Sequence, residues 1–217
     1  AASFIAAHGG KIRCATRVET IDDGFQVAGE RFDGVLLAVG PQHAATLLAR
    51  QQATAETAQL LAGYHFEPIA TVYCGYAPQL RLPFPMLGLA ARGRGEIGQW
   101  AFDRGALCGT PGVIAFVLSG HGAWEELDRQ ELVAQLDAEL ASALHTRLPV
   151  IAWQQVIREQ RATFSCRPGL RRPAARTARS GLWLAGDYVC AEYPATLEAA
   201  VRSGLAAARG MLLEKRG

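Results

Sequence analysis

The sequence predicts an α/β protein of the mixed kind, an α+β fragment in which two terminal segments build one domain and a sheet-and-helix domain is inserted between them. Three observations predict it. Val35-Leu36-Leu37-Ala38-Val39-Gly40 is a continuous apolar run closed by glycine, the pattern of a strand covered on both faces. Gly181-Leu182-Trp183-Leu184-Ala185-Gly186-Asp187 reads as a second short buried strand, and a helix opens after it at Tyr193-Pro194-Ala195-Thr196. Between the two, short β-branched and alternating runs surround one long amphipathic segment at 128–144.

In chain order, residues 3–8 end a helix closed by Gly9-Gly10. Residues 11–21 and 24–27 alternate as strands, with Asp22-Asp23-Gly24 as the turn between them. Residues 41–59 carry one or two helices, with His43, Leu47 and Leu48 among the periodic positions, and 60–68 is a transition. Ile69, Thr71 and Val72 mark a strand at 69–76; Leu82-Pro83-Phe84-Pro85 interrupts the pattern, and 86–90 resumes it. Strands at 97–102 and 113–118 complete an antiparallel sheet, and 119–124 turns. Leu132, Leu136, Leu140 and Leu144 recur at steps of four in the helix 128–144, whose Asp128, Glu131 and Glu139 are expected on a solvated face. A strand at 150–158 and a Pro- and Arg-rich crossing loop at 164–180 precede the closing strand. The expected boundaries are 1–40 and 161–217 for the outer domain and 41–160 for the insert.

Half of the 217 residues are apolar, enough to bury a substantial core, and a net charge of +2 does not advertise nucleic acid as a partner. Arg167, Arg171, Arg172, Arg176 and Arg179 form the one local excess, read as a solvated loop with anionic lipid heads as the other option. Five scattered cysteines without a C-x-x-C pair argue against a disulfide framework or zinc and for a reducing, cytoplasmic setting. The five histidines show no metal spacing, so no metal is expected. Gly93-Arg94-Gly95-Glu96-Ile97-Gly98 satisfies G-x-G-x-x-G by letter, but a strand pattern follows where the dinucleotide fingerprint needs a helix. It is read as a hairpin turn.

The Gly-Asp stop at 186–187 has the chemistry to hold a polyhydroxyl, partly anionic ligand. Gly186 admits close backbone approach, Asp187 can accept hydrogen bonds from sugar-like hydroxyls, and the positive end of the next helix can stabilise charge. Pro194 suits a first helical turn, with Thr196 as the one nearby capping candidate. Leu197, Val201, Leu205 and Ala208 give that helix an apolar face, while Ala199, Ala200, Ser203, Gly204, Ala206 and Ala207 keep it thin enough to pack tightly on a sheet. Tyr188 and Tyr193 flank the motif. Asp103-Arg104, at a strand end, is either a structural ion pair or a means of protonating a substrate hydroxyl. Leu82-Pro83-Phe84-Pro85-Met86-Leu87 is either a packed loop or an apolar rim that dips into a membrane.

Leu184-Ala185-Gly186-Asp187 with Pro194-Ala195-Thr196-Leu197-Glu198-Ala199-Ala200-Val201-Arg202-Ser203-Gly204 resembles the C-terminal FAD motif of the flavin amine oxidase and phytoene desaturase superfamily. Within it the likeness is to the squalene-associated FAD-dependent desaturases, the hydroxysqualene dehydroxylases of hopanoid biosynthesis. Further matching blocks are Glu67-Pro68-Ile69, Pro85-Met86-Leu87-Gly88-Leu89, Gln99-Trp100-Ala101-Phe102-Asp103-Arg104-Gly105 and Arg161-Ala162-Thr163-Phe164. The resemblance implies the C-terminal part of a Rossmann-like FAD domain with an inserted substrate domain. It places Val18 beside the adenine, Ala38, Val39 and Gly40 close to the cofactor, and Gly186, Asp187, Pro194, Ala195, Thr196 and Leu197 around its ring end. It implies a hydrophobic isoprenoid substrate, Asp103 as the candidate acid, and an N-terminal half of the same protein carrying the phosphate grip, so that the whole is roughly twice as long. Peripheral membrane contact fits such a substrate. Ala191-Glu192-Tyr193 departs from the Thr-Gly-Leu expected before Pro-Ala-Thr in the dehydroxylases. Two alternatives stay open: a carotenoid desaturase or amine oxidase running the flavin oxidatively, and a non-catalytic substrate-binding module.

Overall fold

The computed structural model describes residues 1–89 and 95–215. Two compact units emerge, one of Ala1–Tyr64 with Cys166–Gly217, the other of His65–Ser165. The division falls at 64/65 and 165/166, where the sequence placed it at 40/41 and 160/161. The difference is the helix pair α2 (Pro41–Leu48) and α3 (Ala55–Ala62), which the first unit keeps. Leu47, Leu48, Ala58 and Leu61 are buried between these helices, and the Thr54 hydroxyl ties the turn by donating to the Leu48 carbonyl at 2.7 Å.

The first unit starts with α1 (Ala2–Ala7), ended at Gly9 with φ +78°, as the Gly-Gly pair requires. The strand expected at 11–21 is not there. Residues 11–19 are exposed and meet no partner strand among the described residues, and alternation cannot make a strand without a neighbour to take its backbone hydrogen bonds. The strand expected at 24–27 shrinks to a tight hairpin of β1 (Gln26–Val27) and β2 (Glu30–Arg31), preceded by a 3₁₀ turn at Asp23–Phe25. The heart of the unit is β3 (Val35–Leu37), paired in parallel with the far strand β9 (Leu182–Leu184) in the register Val35↔Leu182, Leu36↔Trp183, Leu37↔Leu184. The two apolar runs singled out in the sequence are thus neighbours, though 145 positions separate Leu37 from Leu182.

The closing helix α6 (Leu197–Glu214) packs through its small residues. Ala199, Ser203 and Ala207 are buried, and Gly210 lies so close to the Trp183 ring that a Cβ there would stand 2.3 Å from it. The large apolar side chains face out: Leu197 is 87 %, Val201 60 % and Leu205 54 % exposed. The last turn is latched by Glu214, which accepts hydrogen bonds from Arg176 (2.8 Å), Ser180 (2.6 Å) and the Trp183 indole (2.8 Å).

The second unit is a five-stranded antiparallel sheet in the order β5-β6-β7-β4-β8, as the alternating runs anticipated. Its strands are β4 (Phe66–Gly75), β5 (Met86–Gly88), β6 (Trp100–Asp103), β7 (Val113–Ser119) and β8 (Trp153–Phe164). The strand read at 150–158 starts at Trp153 and runs on to Phe164, because β4 pairs with it on both sides of a register shift between Glu67 and Ile69. Ala70, Val72, Cys74, Ile114, Phe116 and Leu118 alternate onto one face and meet Leu132, Leu136 and Leu140 of α5 (Arg129–Leu144). Ala90, Gly93 and Arg94 lie outside the described residues, but β6 and not a helix follows Gly98, which removes the dinucleotide reading of that glycine run.

Asp128 and Glu131 are exposed, as expected of a solvated face, and Glu139 is partly buried; all three also bind backbone amides. Asp128 caps the helix by accepting from the Gln130 and Glu131 amides (2.7 and 2.9 Å), and Glu131 accepts from the Asp128 amide (2.9 Å). Glu139 accepts from the Ile97 (2.9 Å) and Gly98 (2.7 Å) amides and so pins the entry to β6.

Candidate cofactor site

Parallel pairing of β3 with β9 sends both strands out of the sheet at the same edge. The Ala185 amide extends the ladder by donating to the Leu37 carbonyl at 2.8 Å. Ala38-Val39-Gly40 and Gly186-Asp187 therefore leave side by side at the carboxyl ends of two parallel strands, the position where open α/β sheets hold ligands. An open groove of about 910 Å³ runs along β3 and is lined by Val18, Ala38 and Val39, with Arg17, His43 and Arg50 adding polar groups. Gly40 caps α2. Three of the sequence-predicted residues, drawn from two separate stretches, share that groove.

Gly186 has φ +155°, and a Cβ would stand 2.4 Å from the Tyr188 ring, so the position takes glycine on both conformational and spatial grounds. Its amide donates to the Ser203 hydroxyl (2.8 Å), which in turn donates to the Ala200 carbonyl (2.8 Å). Ser203, counted in the sequence only among the small residues, is the bolt between the end of β9 and α6. Asp187 is half-buried, and burial pushes its carboxyl above the usual aspartate range, against the pull of its own turn's amides and of Arg172. The Tyr188 side chain is 1 % exposed, and its buried hydroxyl has no hydrogen-bond partner among the described residues. A half-buried carboxylate and an orphaned hydroxyl, beside a glycine that admits close approach, fit a polyhydroxyl cofactor.

The helix begins later than the sequence suggested. Pro194 and Ala195 stay in the loop, and Thr196 is the cap, accepting from the Ala199 amide at 3.2 Å, so α6 starts at Leu197. The divergent Ala191-Glu192-Tyr193 segment is held by arginines: Arg172 donates to the Cys190 and Tyr193 carbonyls, and the Arg202 guanidinium lies 4.9 Å from the Tyr193 ring centroid. Four of the five arginines in that excess accordingly have separate duties. Arg171 reaches Glu56, Arg176 reaches Glu214, and Arg179 stacks on Phe25.

Asp103 belongs to the second unit and is 1 % exposed. One carboxylate oxygen caps the short helix α4 (Arg104–Cys108) by accepting from the Ala106 amide at 3.0 Å; the other accepts from the Leu82 amide at 3.1 Å. Among the described residues no ion pair joins it to Arg104. No group of histidine, cysteine and acidic side chains able to hold a metal occurs among the described residues, and no helix there is long and apolar enough to cross a membrane.

Comparisons with known proteins bear on the family and the fold. The model of the flavin containing amine oxidoreductase family matches residues 1–212. The chain is 30 % identical over 178 residues to a hydroxysqualene dehydroxylase of Rhodopseudomonas palustris, and 31 % identical over 180 residues to one of Sinorhizobium fredii. Each match covers 81 % of this chain and 38 % of the relative, so the chain spans well under half the length of these curated relatives. Among solved structures, cyclohexylamine oxidase from Brevibacterium oxydans superposes with a TM-score of 0.66 at 14 % identity, covering 93 % of this chain and 49 % of the other. An oxidoreductase from Methanosarcina mazei gives 0.64 at 17 %, covering 96 % and 52 %. At such identity these structures show a shared fold. The chain belongs to the flavin containing amine oxidoreductase family, whose cofactor is FAD.

Proposed function

We propose that this chain supplies the flavin-ring end of an FAD site and the substrate domain of an oxidoreductase that converts a hydroxylated isoprenoid, hydroxysqualene, to squalene. The observation that carries the reading is the side-by-side exit of Ala38-Val39-Gly40 and Gly186-Asp187 from parallel strands. The names of the relatives supply the substrate class. When bound, FAD supplies the hydride chemistry. The chain's own residues bind and orient it. Val18, Ala38 and Val39 line the groove for its adenine end; Asp187 accepts from its hydroxyls, for which a carboxylate raised by burial is suited. Gly186, fixed by Ser203, lets the backbone come close, and the Pro194-Ala195-Thr196-Leu197 turn presents the positive end of α6 to the ring.

The rest of the Rossmann-like domain and its phosphate grip belong, in this reading, to the N-terminal half of the same protein. The outward-facing Leu197, Val201 and Leu205 give that half an apolar face to cover. A cytoplasmic enzyme with peripheral membrane contact follows from so apolar a substrate. Asp103 drops from candidate acid to structural residue, because both its oxygens are committed to backbone amides. The test is to offer hydroxysqualene and phytoene separately to the full-length enzyme with its flavin reduced or oxidised. Squalene formed from hydroxysqualene by the reduced enzyme is expected; turnover of phytoene alone would transfer the protein to the desaturases, and a protein that retains no flavin would leave a binding module.

A further inference from the structure

We infer that Arg172 is the positioning residue of the Gly186-Asp187 corner: its guanidinium pins the loop between β9 and α6, and its charge acts on the Asp187 carboxylate. Residues 185–196 carry no helix or strand, and they are the stretch that the cofactor reading sets against the flavin ring. The inference rests on that reading and adds what holds the stretch in shape. Near its ends the loop ties itself: the Val189 amide donates to the Gly186 carbonyl at 3.1 Å, and the Thr196 hydroxyl to the Pro194 carbonyl at 3.3 Å.

The middle of the loop is held from outside. Arg172 Nη1 donates to the Cys190 carbonyl and to the Tyr193 carbonyl, the latter at 2.6 Å. Two carbonyl oxygens aimed at one point repel each other, so their convergence depends on the shared cationic donor. The pin is itself anchored on both sides. The buried Tyr64 donates its hydroxyl to the Arg171 carbonyl at 2.9 Å, and Pro173 is buried with its φ fixed by the ring. A guanidinium projected from so fixed a backbone orders the loop in advance, and a loop already ordered loses less freedom when a ligand arrives.

The same cation reaches Asp187 through space. Burial pushes the Asp187 carboxyl up, and the amides of its turn and the Arg172 charge oppose that push. Tyr188 shares the turn with Asp187, and Tyr64 faces Tyr188; burial pushes both phenols up, so each stays neutral and supplies no charge. Arg172 is thus the side chain that favours the ionised Asp187, the form best able to accept from hydroxyls. Affinity for a polyhydroxyl ligand then falls as the pH drops through the Asp187 titration. Without Arg172 burial is less opposed, and that fall moves to higher pH.

Two measurements test this. On the purified chain, amide hydrogen exchange reads the pin without any flavin: Arg172→Gln is expected to speed exchange across 189–195, while equal circular dichroism confirms that the variant folds. Exchange there equal to wild type would overturn the inference. On the full-length apoprotein, titration with FAD across about pH 4 to 8 reads the charge. Arg172→Gln is expected to bind at least about tenfold more weakly at neutral pH and to lose affinity from a higher pH than wild type. Arg172→Lys, which keeps a charge and a donor, is expected to keep the wild-type onset. Wild-type affinity in Arg172→Gln, an unshifted onset, or a lysine variant shifted as far as the glutamine one would each overturn the inference. Asp187→Ala separates the two levels: weakened binding there beside an unchanged Arg172→Gln sinks this inference alone, whereas wild-type binding there sinks the cofactor reading and this inference with it.

Discussion

Replacing Asp103 by alanine separates the structural role given to this residue from the catalytic role its sequence context suggested. Two interactions go at once. Loss of the cap on α4 costs about 1 kcal/mol, and the Leu82 amide, left without its acceptor beside a residue only 1 % exposed, costs about 1–3 kcal/mol more. The expected destabilisation is therefore about 2–4 kcal/mol, read by urea unfolding with the fluorescence of Trp100 and Trp124, both in the second unit. Asp103→Asn keeps one carbonyl oxygen and so can keep the cap while it loses the second acceptor; about half the effect should remain. In the full-length enzyme the Asn variant should turn over within a few-fold of wild type wherever it is folded. Unchanged stability in Asp103→Ala, or a stable Asp103→Asn with turnover abolished, would refute the capping role and restore the acid.

Three further outcomes are expected. Glu214 is held down to about 2 by the Arg176 hydrogen bond first, then by Ser180 and Trp183. Because that lies below its ordinary value of 4.5, its stabilisation is present above that value and lost as the pH falls toward 2. Melting of the first unit should thus drop across this window, with a flatter acid profile in Glu214→Gln. Gly210→Ala gains about 1 kcal/mol of helix propensity but drives a Cβ to 2.3 Å from the Trp183 ring, so overpacking of about 1–3 kcal/mol should win and the melting temperature should fall. Ser203→Ala leaves the Gly186 amide without its acceptor and should lower both stability and flavin retention in the full-length enzyme; a flavin content equal to wild type would detach Ser203 from the site.

Legibility followed the range of the interactions. Elements set by local patterning were readable: the Leu steps of α5 and the strands of the second unit, whose partners lie within one hundred residues of chain. The apolar runs at 35–40 and 182–184 were readable as strands, but their parallel pairing was not, since nothing local encodes a partner so far along the chain. The segment 11–21 misled because alternation reports what a strand could bury and not whether a neighbour exists to pair with it. On α6 the apolar spacing of Leu197, Val201 and Leu205 was correct, yet the buried face is the stripe of small residues, because close approach to Trp183 has no room for larger ones. The candidate site residues came through a resemblance, and that route carries no geometry. It therefore missed Ser203 as the bolt of Gly186, and for Asp103 it offered an ion pair with Arg104 or an acid where the structure has both oxygens accepting from backbone amides.

The most direct test of the cofactor reading is flavin retention by the full-length protein with Asp187 intact and with Asp187→Ala. A carboxylate that accepts hydrogen bonds from the cofactor's hydroxyls contributes about 1.5–3 kcal/mol, so FAD affinity should fall roughly ten- to a hundredfold, measured by titrating the apoprotein with FAD. Equal affinity in the two proteins would mean that the Gly186-Asp187 corner does not hold the flavin.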